Sequence, residues 1–241
     1  MTVGFHISLA SEEAITLYWQ QKVVSPQFIK QVSDTLWQTL VKPVQIKHPE
    51  HRRFWDVVPS NNNITVFFNP LYVSSVEAKQ IINNTLKGFD SEIIDESNLG
   101  HKHSIPVFYG GESALDLASV AEQTGLSVDE VIALHCQACY EVAAVGFAPG
   151  FAYLNGLPER LRVPRMAKPR KHIVAGSLAI AEQQTAIYPC DSPAGWHVIG
   201  HCPLPLFSLE TGAKLAMGDR VTFTPVSLNE YQALLEQQSH Q

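Results

Sequence analysis

The chain has 241 residues, 45% of them hydrophobic and 17% charged, with a formal net charge of -6 at pH 7. That composition is globular and supports one large domain or two smaller ones, which excludes a disordered chain. The acidic balance argues against a general nucleic-acid binder, no apolar run approaches the span of a bilayer, and Met-Thr-Val-Gly-Phe-His at the start has neither a basic region nor a long apolar stretch; a cytoplasmic protein is expected.

Residues 2–9 and 14–19 are rich in β-branched and aromatic residues around Ser-Glu-Glu, which predicts a pair of strands. Ser25 is a candidate N-cap with Pro26 at the first helical position, and Phe28, Val32, Leu36 and Leu40 form an apolar stripe that should end near Pro43. Residues 54–58 and 64–68 flank Asn61-Asn-Asn63 and predict a hairpin. Residues 74–89 predict a second helix with Val76, Ile81, Ile82 and Leu86 inward. Strand, strand, helix, strand, strand, helix is an α+β layer over residues 1–95 that resembles a small ferredoxin-like domain. No chemistry is legible in it, and His48, His51, Arg52 and Arg53 read as a solvated loop.

Residues 96–104 are polar without an apolar period and predict a linker before a second domain, 105–241. Two short helices, 115–123 and 127–137, follow, the second opened by Ser127 with Glu130 as a capping box. The pair imitates a helix-turn-helix, but the second helix opens on Asp129 and Glu130 and holds no Lys or Arg, so it is not a DNA-recognition helix. Strands are then predicted over 140–147, 177–181, 185–188, 196–200, 205–209 and 220–225, with Gly and Pro between them, as in a barrel or sandwich. Ser227 caps a last helix, 228–237, whose Tyr231, Leu234 and Leu235 can pack back.

Chemistry concentrates in one stretch. Gly146, Gly150 and Gly156 with Pro149 and Pro158 predict a rigid, irregular wall that could turn Phe147, Phe151 and Tyr153 toward one cavity; the alternative is a sharp corner with its aromatics in the core. Residues 160–171 then hold six of the 17 basic residues and no acid. Pro164 and Pro169 stand before Arg165 and Arg170 and reduce their backbone freedom, which suits a carboxylate or phosphate; the alternative is a solvated basic loop. His135, Cys136 and Cys139, with Cys190, His201 and Cys202 beyond, lack the paired spacing of a structural zinc site, so no metal is expected and Cys136 and Cys139 are read as small buried residues. The chain contains no Gly-x-x-x-x-Gly-Lys-Ser/Thr loop, no Gly-x-Ser-x-Gly elbow and no His-Glu-x-x-His, which argues against a self-sufficient ATP-using hydrolase.

The motifs Ile105-Pro-Val-x-Tyr-Gly-Gly-Glu, Gly125-Leu-Ser-x-x-Glu-Val-Ile-x-Leu-His135, Gly146-Phe-x-Pro-Gly-Phe-x-Tyr-Leu154, Pro164-Arg-x-x-x-Pro-Arg170, Gln184-Thr-x-Ile-Tyr-Pro189, Ser192-Pro-x-Gly-Trp196 and Ile199-Gly-His-x-Pro203 resemble one family. It is that of the bacterial 5-oxoprolinase B subunit, the sporulation histidine-kinase inhibitor and subunit 1 of allophanate hydrolase, a carboxyltransferase subdomain. The resemblance is dense over 105–225 and weaker before it. It implies a ferredoxin-like N-terminal domain and a mainly β, cyclophilin-like barrel. It also implies work with A and C subunits in the ATP-driven opening of 5-oxoproline to glutamate, ATP being used by the complex. Phe147, Phe151, Tyr153, Gln184, Thr185 and His201 would surround a cleft, Arg165 and Arg170 would hold a carboxylate or phosphate, and His135 and His201 are the candidate catalytic residues. The family's kinase inhibitors imply the alternative, a non-enzymatic protein docking on a sensor histidine kinase. Four positions where the family usually has glycine are Ala179, Glu182, Ala186 and Ala194 in this chain, which bears on the substrate more than on the fold.

Overall fold

The structure is a computed structural model that describes residues 4–19, 24–42, 51–87 and 100–239. Contacts divide the chain into two compact units, 1–99 and 100–241. In the first, strands β1 (Phe5–Ser11) and β2 (Ala14–Trp19) pair antiparallel. Helix α1 (Pro26–Leu36) starts where the Ser25 hydroxyl accepts the Phe28 amide proton at 3.2 Å, and it runs on into a π-helical turn, Trp37–Val41. The row Phe28, Val32, Leu36 and Leu40 is buried throughout, while Pro43, the expected stop, lies outside the described residues. Strands β3 (Phe54–Ser60) and β4 (Asn63–Phe68) form the hairpin, with the turn confined to Asn61 and Asn62.

Helix α2 (Ser75–Thr85) opens on a reciprocal capping box between Ser74 and Glu77. Its buried row is Ala78, Ile82 and Leu86, and Val76, expected to face inward, is 64% exposed. Two residues before Ala78 is about 200° around the helix, so the two side chains take opposite faces. The sheet order is β1-β2-β4-β3, antiparallel throughout. His51 and Arg53 are exposed and Arg52 is half-buried; His48 lies outside the described residues.

The second unit begins with β5 (Lys102–Val107), so Lys102, His103 and Ser104 belong to a strand and not to the expected linker. Helices α3 (Leu117–Thr124) and α4 (Val128–Gln137) are joined at Gly125, whose φ of 68° ends α3, and α4 carries the Ser127–Glu130 capping box. The strands that follow are β6 (Tyr140–Val145), β7 (Ala152–Asn155), β8 (Arg170–Ile173), β9 (Ser177–Ala181), β10 (Gln184–Ile187), β11 (Ser192–Ala194), β12 (His197–His201), β13 (Phe207–Ser208), β14 (Gly212–Ala213) and β15 (Arg220–Pro225). Helix α5 (Leu228–Ser239) closes the unit, with Ser227 and Glu230 exchanging cap bonds. β7 and β8 correct the picture of an irregular wall, since the middle of the Gly- and Pro-rich stretch and the end of the basic run that follows it are paired strands.

Seven strands form one sheet in the order β12-β9-β10-β7-β6-β15-β5, and its ends meet where Phe108 and His201 exchange two backbone hydrogen bonds of 2.9 Å. The result is a mixed α/β unit built on a nearly closed barrel-like sheet, filled by Tyr140, Leu154, Leu178, Ile180 and their neighbours. Within that sheet β5 and β15 run parallel and the other neighbours antiparallel. Among the described residues no helix is long and apolar enough to cross a membrane.

The start of this unit is testable. The His101 amide donates to Asp219 Oδ1 at 2.8 Å, His103 Nε2 lies 3.0 Å from Oδ2, and Gly100 lies against the Gly218 backbone. A fragment 100–241 is expected to melt cooperatively, whereas 105–241, without half of β5 and two partners of the buried Asp219 carboxylate, should be about 2–3 kcal/mol less stable in urea. Equal midpoints would return residues 100–104 to the linker.

Candidate functional site

The turn joining β6 to β7 is held by Gly146 N to Phe151 O and Phe151 N to Ala148 O, each 3.0 Å. These bonds hold Phe147 at a φ of 75°, in a region that favours glycine, with its ring 66% exposed. Gly150, φ 82°, touches the next loop so closely that a Cβ would come within 2.7 Å of Phe207 Cβ and 2.9 Å of the Leu206 carbonyl. Only glycine fits that contact. The chain thus fixes an exposed ring at a rigid corner.

Phe151 is the hub of that corner. Its ring meets Phe147 at 5.2 Å, Tyr153 at 4.8 Å, Tyr188 at 5.1 Å and Trp196 at 6.2 Å between centroids, all edge to face. Together with Arg165 these residues line a cleft of about 130 Å³. That is smaller than the roughly 300–1,000 Å³ of drug-sized ligand sites and suits a small ring. The Arg165 guanidinium carbon lies 5.8 Å from the centre of the Trp196 ring, and its Nε is 3.5 Å from Glu182 Oε1. Burial, then the neighbouring Tyr153, pushes the Tyr188 hydroxyl up to about 12 against the pull of Arg165, so it stays a neutral hydroxyl. The cleft therefore offers ring faces, phenolic groups and one guanidinium. It can grip a small flat group that carries a negative charge.

Phe147, Phe151, Tyr153 and Arg165 converge as expected, and the other candidates do not join them. Arg170, expected to await a ligand's anion, already holds Asp116: Nη1 and Nη2 donate to Oδ2 and Oδ1 at 2.6 Å each. Oδ2 also accepts the Val198 amide proton at 2.8 Å, and the Asp116 side chain is 8% exposed, so this is an interior clamp. Thr185, expected in the cleft, is fully buried because β10 turns it inward, where its hydroxyl donates to the Ala179 carbonyl at 3.1 Å. It must then accept from His135 Nε2, 3.1 Å away.

His135 is fully buried too. Its Nδ1 accepts from the Tyr109 hydroxyl at 2.9 Å, its ring stacks on Phe223 at 4.8 Å, and burial pushes its pKa down to about 3. A neutral ring held on both sides inside the core is not placed for catalysis. His201 sits on the barrel seam, with Nε2 donating to the Ala175 carbonyl at 2.8 Å and Nδ1 accepting from Tyr231 at 3.0 Å. Burial holds its pKa below the usual value, opposed by the bond to Ala175. It borders two other cavities, of about 330 Å³ beside Tyr188 and Leu206 and of about 490 Å³ beside Glu112 and His172, and not the aromatic cleft. Gln184 spans to Asn155, its Nε2 donating to Oδ1 at 2.9 Å.

Cys136 is half-buried and Cys139 exposed, which corrects their expected burial; Cys139 follows the end of α4, where the chain surfaces. Among the described residues no group of three or more His, Cys, Asp or Glu is placed to hold a metal ion. Within the basic run Arg162, Arg165 and Arg170 each face their own carboxylate, Glu159, Glu182 and Asp116.

Sequence reasoning missed Tyr188 and Trp196 as cleft residues, although both stand in the family motifs; Glu182, singled out where the family usually has glycine, meets the cleft through Arg165. The positions that differ from the usual glycines share this place. Ala179, Ala186 and Ala194 pack with Phe151, Tyr188 and Trp196 in one buried cluster, and Glu182 meets Arg165.

These features define a mixed α/β protein whose second unit is a nearly closed barrel-like sheet carrying an aromatic cleft. The family model of the carboxyltransferase domain, subdomain C and D, matches residues 5–217, and the chain belongs to that family. It is similar to the 5-oxoprolinase B subunit of Bacillus subtilis (strain 168), with 36% identity over 194 residues that cover 76% of this chain and 80% of that protein. It is also similar to the 5-oxoprolinase B subunit of Escherichia coli O157:H7, with 39% identity over 172 residues, 70% of this chain and 77% of that protein. Of solved structures, TTHA0988 superimposes with a TM-score of 0.72 at 30% identity over 89% of this chain, which spans 40% of the length of that one.

Proposed function

We propose that the protein is the B subunit of an ATP-dependent 5-oxoprolinase, working with A and C subunits in the cytoplasm to open the lactam of 5-oxoproline to L-glutamate. The observation that carries this reading is the likeness to relatives named as 5-oxoprolinase B subunits over 70% or more of the chain. The cleft supports it. 5-Oxoproline is a small, nearly flat lactam with one carboxylate, and the cleft offers ring faces for the lactam and Arg165 for the carboxylate. Tyr153, half-buried at its wall, offers a hydroxyl to the lactam's polar edge. The residues present do not fit a triphosphate, since no phosphate-cradling glycine loop occurs in the sequence and Arg170 of the basic run is locked to Asp116. ATP belongs to the assembled complex, and no step through it is assigned to this chain.

Within the same reading the first unit is ferredoxin-like and the second cyclophilin-like. Two strands, a helix, two strands and a helix in the order β1-β2-β4-β3 correspond to the ferredoxin-like βαββαβ arrangement entered one strand earlier.

The test is assembly and turnover. A tagged chain is expected to retain A and C subunits from the native cell, and the complex to couple ATP hydrolysis to glutamate formation while the chain alone does neither. Turnover of 5-oxoproline and ATP by the chain alone, at a rate that survives further purification, would refute this division of labour. Recovery of a histidine kinase in place of A and C would assign the protein to kinase inhibition instead.

A further inference from the structure

We propose that Glu182 is a built-in competitor for the anionic ligand of the aromatic cleft: an entering carboxylate takes Arg165 away from Glu182, which thereby sets how tightly the cleft holds anions. The competition itself stands on the geometry of the cleft; only the naming of 5-oxoproline as the ligand rests on the function proposed above.

Folding alone gives no reason for a glutamate at this position. Ala181 and Gln184 pair directly across β9 and β10, which leaves Glu182 and Gln183 as a two-residue turn. The first of them has a φ of 56°, where glycine, asparagine or aspartate is the favoured residue. The one backbone bond that Glu182 donates, to the Val163 carbonyl at 2.6 Å, is available to any residue but proline. Its side chain is 58% exposed, so burial does not offset the backbone strain. What the side chain does is reach the guanidinium of the cleft.

The two arginines that follow prolines differ in the way this role requires. Arg170 is locked by two bonds of 2.6 Å to a carboxylate that is 8% exposed. Arg165 is 57% exposed and meets Glu182 through a single 3.5 Å contact at Nε, a weak pair in water. Arg165 is therefore the guanidinium that a ligand can claim. A neutral ring can occupy the aromatic walls without disturbing the pair, whereas a carboxylate bound through Nε takes that donor from Glu182, and one bound through Nη1 and Nη2 alone still meets the negative charge of Glu182. The rim thus penalises anions relative to neutral ligands of the same shape.

The experiment titrates the full chain with 5-oxoproline, benzoate and neutral benzamide, followed by ligand-observed NMR. It compares wild type, Glu182→Gln, Glu182→Gly and each of these combined with Arg165→Gln. Glu182→Gln is expected to tighten both carboxylates about two- to fivefold, the worth of one exposed ion pair, and to leave benzamide unchanged. Glu182→Gly should do the same and also resist urea better, because it relieves the left-handed backbone. Arg165→Gln should erase the gain. The proposal is overturned if Glu182→Gln binds benzoate no better than wild type, if the gain survives Arg165→Gln, if benzamide tightens equally, or if no carboxylate binds at all. Benzoate responding while 5-oxoproline fails to bind supports the competition and removes 5-oxoproline from the cleft.

Discussion

Asp116→Asn is expected to destabilise the barrel unit by about 3–5 kcal/mol, the cost of leaving one member of a buried ion pair uncompensated. For a unit of this size that is a fall in Tm of about 10–17 °C. Asp116 stands at the N-cap of α3, yet its side chain does not cap that helix. It reaches instead to Arg170 on β8 and to the Val198 amide on β12, so one carboxylate ties a helix start to two strands. Arg170→Met should cost a similar amount, because it strands the carboxylate. Arg170→Lys should recover only part of the loss, since an ammonium cannot reproduce the two parallel bonds of the planar fork. The pair Asp116→Asn with Arg170→Met should cost well under the sum of the single changes. Arg165→Gln, at an exposed site, should stay within about 0.5 kcal/mol of wild type. Urea denaturation of these variants checks the set. If Arg170 served a ligand instead, Arg170→Met would leave the midpoint in place and lower only the activity of the complex.

The contrast between Arg165 and Arg170 explains what the sequence could and could not convey. Local rules act over a few residues, and they placed the caps at Ser25, Ser127 and Ser227 and the apolar stripe of α1. The two Pro-Arg pairs look alike for the same reason, since nothing within five residues tells them apart. Asp116, which does, lies 54 positions from Arg170 and meets it only once the barrel has closed. His135 and Thr185 are a similar case, joined by a hydrogen bond across 50 positions. The cleft was half legible: its aromatic corner is a local motif, while Tyr188 and Trp196 come from far along the chain, just after β10 and just before β12, and join the corner only once those strands have paired. Strands as short as β7 and β8, four residues each, carry too little alternation to stand out from the glycines and prolines around them. Glu182 was visible as a residue out of place, but its partner was not.

The other large effect is a pH dependence carried by His135. The bonds around its ring fix the tautomer. The Ala179 carbonyl can only accept, so the Thr185 hydroxyl donates to it and receives the Nε2 proton of His135; Nδ1 is then bare and accepts from Tyr109, whose oxygen is met by the Cys136 thiol at 3.5 Å. Every donor in this buried chain has one acceptor, and a second proton on the ring would face the Tyr109 hydroxyl with no charge to balance it. Burial accordingly pushes the pKa of His135 down to about 3, against about 6.5 in an unfolded chain. Between those values the unfolded state binds a proton that the folded state refuses, so stability falls as pH falls. The contribution is complete above pH 6.5 and is lost at up to about 1.4 kcal/mol per pH unit until the folded ring also protonates near pH 3. From pH 8 to pH 5 this residue should therefore remove about 2 kcal/mol. His135→Gln is expected to start about 2–4 kcal/mol lower at pH 8, because Tyr109 and Thr185 lose a well-placed partner, yet to lose about 2 kcal/mol less than wild type on the way to pH 5. Urea unfolding of both proteins at the two pH values measures that difference directly, and all other groups cancel in it. Parallel losses would mean that His135 takes up its proton in the folded protein, and the Nδ1–Tyr109 and Tyr109–Cys136 bonds would have to be reassigned, while Nε2 still donates to Thr185.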